Sequence, residues 1–212
     1  VDIYRNKIRP AKTLIDFSNF VAFFPQLVAG PIERAKYLLP QIESCKGASR
    51  EQISSGLTLL FLGYMKKVLV SDNLAPIIDH YFENFIYLDS IYLLSGLLIF
   101  SIQIYFYLSG YSDISRGLAK LMGIDLVVNF KQPYFATSPS EFWKRWHISL
   151  STWLRDYIYI SLGGNRKNFS RTLWNLIITM LLGGLWHGAS WNFILWGAIH
   201  GSNGATFLLR IR

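Results

Sequence analysis

The sequence predicts an all-α, polytopic integral membrane protein with re-entrant and interfacial amphipathic helices. Three observations carry this expectation. Only 16% of the 212 residues are charged, against about 25% in an ordinary soluble domain. Residues 90–112 hold no Asp, Glu, Lys or Arg, and neither do residues 172–209. A helix needs about 20 predominantly apolar residues to cross a bilayer. The first stretch therefore reads as one span, and the second accommodates two short ones or a broken pair. The net charge of +8 flanks these apolar segments, which suits an anionic membrane surface better than nucleic acid.

The elements follow in order. Residues 1–12 carry Arg5, Lys7, Arg9 and Lys12 without an apolar core, so they read as a loop and not as a signal peptide. With Val1 at the start, they suggest ends cut from a larger protein. Residues 13–31 are aromatic and apolar but interrupted at Pro25 and closed by Gly30-Pro31, which fits a re-entrant or interfacial segment. Residues 32–52 are polar and read as a solvated connector or surface helix. Residues 53–70 are apolar except for Lys66-Lys67. They form a tilted span or a membrane-surface helix whose lysines snorkel from its end. Asp72 through Asp89, with Pro76 and His80, reads as a mixed aromatic loop.

Residues 90–112 are the clearest crossing helix, with Tyr105, Tyr107 and Tyr111 gathered at one end as aromatic belts are. Residues 113–171 hold nine Lys or Arg against four Asp or Glu, which places them on the cytoplasmic side by the positive-inside rule. Ser138, Pro139 and Glu141 predict a capped helix start with a capping box. The helix after it alternates aromatics and cations from Phe142 to His147 and is expected to lie along the interface. Its amphipathic style continues to the break at Gly163-Gly164-Asn165. No internal repeat is present, and residues 1–212 are expected to form a single domain.

Ionisable groups are scarce inside the apolar runs, so each one there is informative. His187 lies 16 positions beyond Arg171, about 24 Å along a helix. An imidazole at that depth suggests function, although a neutral histidine bonding a neighbouring helix is equally common. Gly183, Gly184 and Gly188 around it allow a kink and close approach. His200 is a weaker candidate because it sits nearer the chain end. His147 differs in kind, since it follows Lys144-Arg145 where a headgroup contact is the plain alternative. Cys45 is the only cysteine, so it reads as an ordinary unpaired thiol. No set of ligands stands at metal-binding spacing, so no metal is expected. No nucleophile elbow, phosphate-binding glycine loop or dinucleotide fingerprint appears.

Six ordered motifs run through nearly the whole chain. They occupy residues 23–32, Ser109-Gly110-Tyr111-Ser112-Asp113, residues 141–151, Trp153-Leu154-Arg155-Asp156-Tyr157, Leu162-Gly163-Gly164-Asn165-Arg166, and Gly183-Gly184-Leu185-Trp186-His187-Gly188. Together they resemble the membrane-bound O-acyltransferase family, in particular its alginate O-acetylation branch, related to the D-alanine exporters. The resemblance implies a ring of tilted helices around a thinned centre, with this chain as its middle portion. It implies that His187 is the catalytic histidine and His147 the second active-site polar position. It implies a hydroxyl attacking a thioester with His187 as base, while Lys144, Arg145, Arg155, Trp186 and Asp113 bind donor or substrate. Acetyl-CoA or another acyl thioester is the expected donor, with no bound cofactor. The expected partners are the lipid bilayer, a periplasmic or extracellular acyltransferase and a polysaccharide acceptor. The expected place is the cell inner membrane, multi-pass. A D-alanyl or other acyl exporter, a transporter and a non-catalytic scaffold are the rival readings.

Overall fold

A computed structural model of the chain describes residues 1–27, 30–44 and 47–210. The motif residues Val28 and Ala29 and the lone Cys45 lie outside the described residues. All regular structure among the described residues is helical. The chain packs as two compact units, Val1–Val128 and Asn129–Arg212.

In the first unit, α1 (Leu14–Val21) is capped by Thr13, whose hydroxyl accepts from the Asp16 amide. A single turn at Phe24–Gln26 follows. This is the interruption expected at Pro25, and it is pinned in place. The Gln26 amide donates to the Phe20 carbonyl at 2.8 Å, and the Ser115 hydroxyl donates to the Pro25 carbonyl. Helix α2 (Ala35–Glu43) is the surface helix of the two alternatives expected over residues 32–52, but it turns a fully buried Leu38 inward, and Glu33 before it is nearly buried. Leu38 shares a small core with Phe23, Ala119, Ile124 and Leu126. Glu33 accepts from the Val127 amide at 2.6 Å, and its burial pushes its pKa up.

Ser49 starts α3 (Arg50–Tyr64) with a complete capping box formed with Gln52. The helix widens into a π-helical stretch at Met65–Ser71 and continues as α4 (Asp72–Asn84). The expected loop at 72–89 is therefore helical over most of its length. Pro76 lies within this helix, and the Asn73 side chain donates to the Val68 and Leu69 carbonyls of the π-helical stretch at 2.9 and 3.0 Å. His80 sits on α4, beside Asn84. Lys66 and Lys67 consequently stand mid-helix and do not snorkel from an end. Lys66 pairs with Asp113 at 2.5 Å and Lys67 with Asp72 at 2.6 Å.

Asp89 caps α5 (Ser90–Leu121), a helix of 32 residues. The continuous helices Arg50–Asn84 and Ser90–Leu121 are long and apolar enough to cross a membrane, and only 11% and 6% of their apolar windows are buried inside the protein. The core helix of a soluble protein would hide this surface. Here Phe61, Leu94, Leu97 and Leu98 point outward. Because α5 runs on to Leu121, Tyr105, Tyr107 and Tyr111 fall within the helix and not at its end. Tyr107 and Tyr111 pack edge to face at 4.9 Å.

Helices α3 and α5 cross at glycines. A Cβ on Gly117 would stand 2.8 Å from the Gly56 carbonyl oxygen, and one on Gly63 would stand 2.8 Å from that of Gly110. Small residues allow this backbone approach, on which helix association in lipid depends.

The second unit contains α6 (Pro139–Arg145), α7 (Ile148–Leu154) with a π-helical continuation at Arg155–Tyr159, α8 (Phe169–His187) and α9 (Trp191–Arg210). Ser138 caps α6 as expected, accepting from the Glu141 amide at 3.1 Å. Glu141 does not close the capping box. It accepts instead from the amide and hydroxyl of Thr137, each at 2.8 Å, which holds its pKa down at about 2. The stretch 172–209 forms a hairpin of helices of 19 and 20 residues, each close to the length of a bilayer core. Helix α8 runs unbroken through Gly183-Gly184, so these glycines serve close approach and not a kink. A Cβ at Gly184 would collide with the Phe193 carbonyl oxygen and stand 3.3 Å from the Gly197 Cα.

Replacing Gly117 by Leu is expected to force α3 and α5 apart. Overpacking of this kind costs about 1–3 kcal/mol. The thermal midpoint of the detergent-solubilised protein should fall, whereas Leu98→Val on the exposed face should leave it nearly unchanged.

Candidate active site

The sequence expects one continuous interfacial helix through Phe142–His147. The structure breaks it. Helix α6 ends at Arg145, and His147 takes left-handed backbone, φ 41° and ψ 55°, as the residue preceding α7. Such a conformation is uncommon outside glycine, although histidine tolerates it better than most, and it costs about 1–3 kcal/mol. Asn129, 1% exposed, holds it. Its side-chain oxygen accepts from the Ser149 amide at 3.1 Å and the Ser149 hydroxyl at 2.9 Å. Its backbone carbonyl accepts from the Ile148 amide at 2.9 Å. On the α6 side, the Lys131 amide donates to the Arg145 carbonyl at 2.9 Å.

The turn brings the His147 imidazole into a cavity of about 540 Å³ built within the second unit, a size typical of small-molecule sites. His187 from the end of α8 and His200 from α9 line the same cavity. Aromatic rings join them. Trp186 stands 6.3 Å from His147 and 5.1 Å from His187. Trp196 stands 5.3 Å from His187 and 4.4 Å from His200. Trp143 closes the far side at 5.3 Å from His200.

The polar character of the walls is one-sided. Among the described residues, Lys144, Arg155 and Tyr159 line the cavity, and no carboxylate does. Leu154, Leu176, Met180 and Phe207 supply apolar surface. His147 is partly buried, and its Nδ1, shielded from solvent, has no hydrogen-bond partner. Burial is the main cause that pushes its imidazole down to about 4, and the nearby His187 adds to it. His147 is therefore neutral at pH 7. Among the described residues, no three His, Cys, Asp or Glu side chains come together as a metal-binding group.

The candidates sort as follows. His187, His147, Lys144 and Arg155 converge on one cavity. Arg145 is not part of its wall. It pairs with Glu141 at 2.5 Å and reaches the Gln132 carbonyl at 3.4 Å, so it locks α6 to the preceding loop. Trp186 is half exposed and stands beside the two imidazoles without lining the cavity. Asp113 belongs to the first unit, where it pairs with Lys66 at 2.5 Å and Arg116 at 3.5 Å, which gives it a structural partner set of its own. The sequence reading missed Asn129, Trp143 and Trp196. The one available signal was spacing, since Trp196 and His200 are four apart and share a helix face.

The profile of the MBOAT, membrane-bound O-acyltransferase family matches residues 11–202. Over 202 residues the chain is 49% identical to a protein of Azotobacter vinelandii described as "Probable alginate O-acetylase", covering 95% of this chain and 40% of that one. It is 42% identical over 189 residues to a peptidoglycan O-acetyltransferase of Helicobacter pylori, covering 88% and 36%. It is 27% identical over 195 residues to a teichoic acid D-alanyltransferase of Bacillus subtilis, covering 85% and 48%. The chain thus spans about 40% of the length of the alginate O-acetylase it matches.

His147 also makes stability depend on pH. Its folded imidazole titrates at about 4, against 6.5 for an unperturbed one. Between these values the unfolded chain binds the extra proton. The contribution of the neutral ring is complete above about pH 6.5 and is lost as pH falls toward 4. The thermal midpoint of the purified protein should drop on acidification across that window, and that of His147→Phe should drop less. Equal drops would remove His147 as a source of the acid sensitivity.

Proposed function

The chain belongs to the membrane-bound O-acyltransferase family, and on that premise we propose that the protein transfers an acyl group, acetyl in the first instance, from a thioester to a hydroxyl of an extracytoplasmic polysaccharide. The observation that carries this reading is the convergence of His187 and His147 on one cavity that holds two cations and no carboxylate. The names of the alginate and peptidoglycan relatives support a polysaccharide acceptor and an acetyl group. The D-alanyltransferases are the source of the second reading, an alanyl donor.

In this proposal neutral His187 accepts the proton of the acceptor hydroxyl as its oxygen attacks the thioester carbonyl. The new carbon–oxygen bond forms, the carbon–sulfur bond breaks, and the proton passes on to the leaving thiolate. General-base help of this kind contributes about 10² to 10⁴ in rate. His147 orients the acyl group, or stabilises the developing oxyanion from the opposite wall. Lys144 and Arg155 attract the anionic part of a donor such as acetyl-CoA. No bound cofactor enters the scheme. The proposed setting is a multi-pass protein of the cell inner membrane, with the donor arriving from the cytoplasm. The whole of residues 1–212 would serve as one membrane-bound domain working with a periplasmic or extracellular acyltransferase.

Membranes holding the full-length protein should transfer label from radiolabelled acetyl-CoA. His187→Ala should abolish transfer while leaving membrane insertion intact, and His147→Ala should cost less. Undiminished transfer by His187→Ala would take His187 out of the mechanism. Alanyl label in the product would select the second reading.

A further inference from the structure

The third imidazole in the cavity has no part in this scheme, and the structure gives it a defined place. Trp196 lies between it and His187, 5.3 Å from one ring and 4.4 Å from the other. The packing of the hairpin fixes the levels. The backbone of Gly197 lies against Met180, and that of Gly201 against Ile177. The His200 backbone therefore sits at the level of residues 177–180 on α8, about 10 Å along the helix axis from the backbone of His187. The two histidines join the wall of the cavity from different levels of the hairpin.

The cavity is long in the same direction. Along α9 it is lined from Trp196 to Leu208 and along α8 from Leu176 to His187, about 17 Å in each case. An acetyl group fills only a small part of such a slot. The remainder suits an extended, uncharged chain that links the thioester to an anionic group. Lys144 follows Trp143, whose ring touches His200. Leu154, the neighbour of Arg155, packs against Gly183. Both cations line the same cavity as His200. The His200 ring meets Trp143 edge to face and packs tilted against Trp196. Its nitrogens make no hydrogen bond to any described residue, and they are not sealed inside the protein as the His147 Nδ1 is.

Resting on the acyl-transfer reading above, we propose that His200 is a donor-binding residue. It hydrogen-bonds an amide of the thioester's extended arm and so sets the register of the arm along the slot.

The test is steady-state transfer by the full-length protein in membranes, with acetyl-CoA varied at saturating acceptor. One hydrogen bond is worth about 0.5–1.5 kcal/mol, or roughly a 2- to 13-fold change. His200→Phe keeps the ring contacts and removes the nitrogens. It should raise KM for acetyl-CoA within that range and change kcat little. His200→Gln restores an amide-bonding group and should recover most of the lost affinity. On the unmutated protein, acetyl-CoA should slow carbethoxylation of His200 by diethyl pyrocarbonate, read by mass spectrometry. The inference is overturned if His200→Phe matches the unmutated protein, if kcat falls with KM unchanged, if Gln is no better than Phe, or if acetyl-CoA gives no protection. Absence of transfer by the unmutated protein from any thioester would instead sink the acyl-transfer reading itself.

Discussion

Asn129 is buried where α6 and α7 meet, and its hydrogen bonds to Ile148 and Ser149 leave the intervening turn a single course. With that course fixed, His147 occupies left-handed backbone and its ring enters the cavity. Without it, the sequence from Phe142 to Leu154 would favour one uninterrupted amphipathic helix, with His147 displaced along it. A strained residue persists only where its surroundings over-determine it. Here the surroundings are an amide side chain, a serine and two backbone amides, all shielded from water.

The rest of the fold follows the economy of a lipid solvent. Apolar side chains gain little by meeting one another when lipid is just as apolar, so helices associate through close backbone approach and polar pairing. Both devices are present. Helices α3 and α5 meet at paired glycines, and α8 and α9 meet at Gly184 and Gly197. The two lysines midway along the first long helix are matched within the unit, Lys66 with Asp113 and Lys67 with Asp72. The large apolar side chains that a soluble protein would bury are left facing outward on the two long helices.

The cavity of the second unit has a different character. Among the described residues, it combines three imidazoles, indole rings and the cations of Lys144 and Arg155 without a carboxylate. A neutral imidazole is a competent base, and an environment free of nearby anions does not draw a proton onto it. Cations at the wall favour ligands that carry negative charge away from the reacting group. These properties match the chemistry proposed for a thioester donor and a hydroxyl acceptor.

Local sequence settled a great deal. Charge-free runs long enough to span a bilayer, the Ser138 cap with Pro139 behind it, the interruption at Pro25 and the isolated imidazole of His187 all depend on neighbours within a few turns. Tertiary structure decided the remainder. Asp113 pairs with Lys66, 47 positions away in the sequence. Asn129 and Ser149, 20 apart, set the break at His147. Trp143 and His200 meet across 57 residues of chain. A periodic pattern records which face a helix turns to its surroundings. It does not record which distant side chain will stand opposite, because that choice belongs to the packing of whole helices against one another.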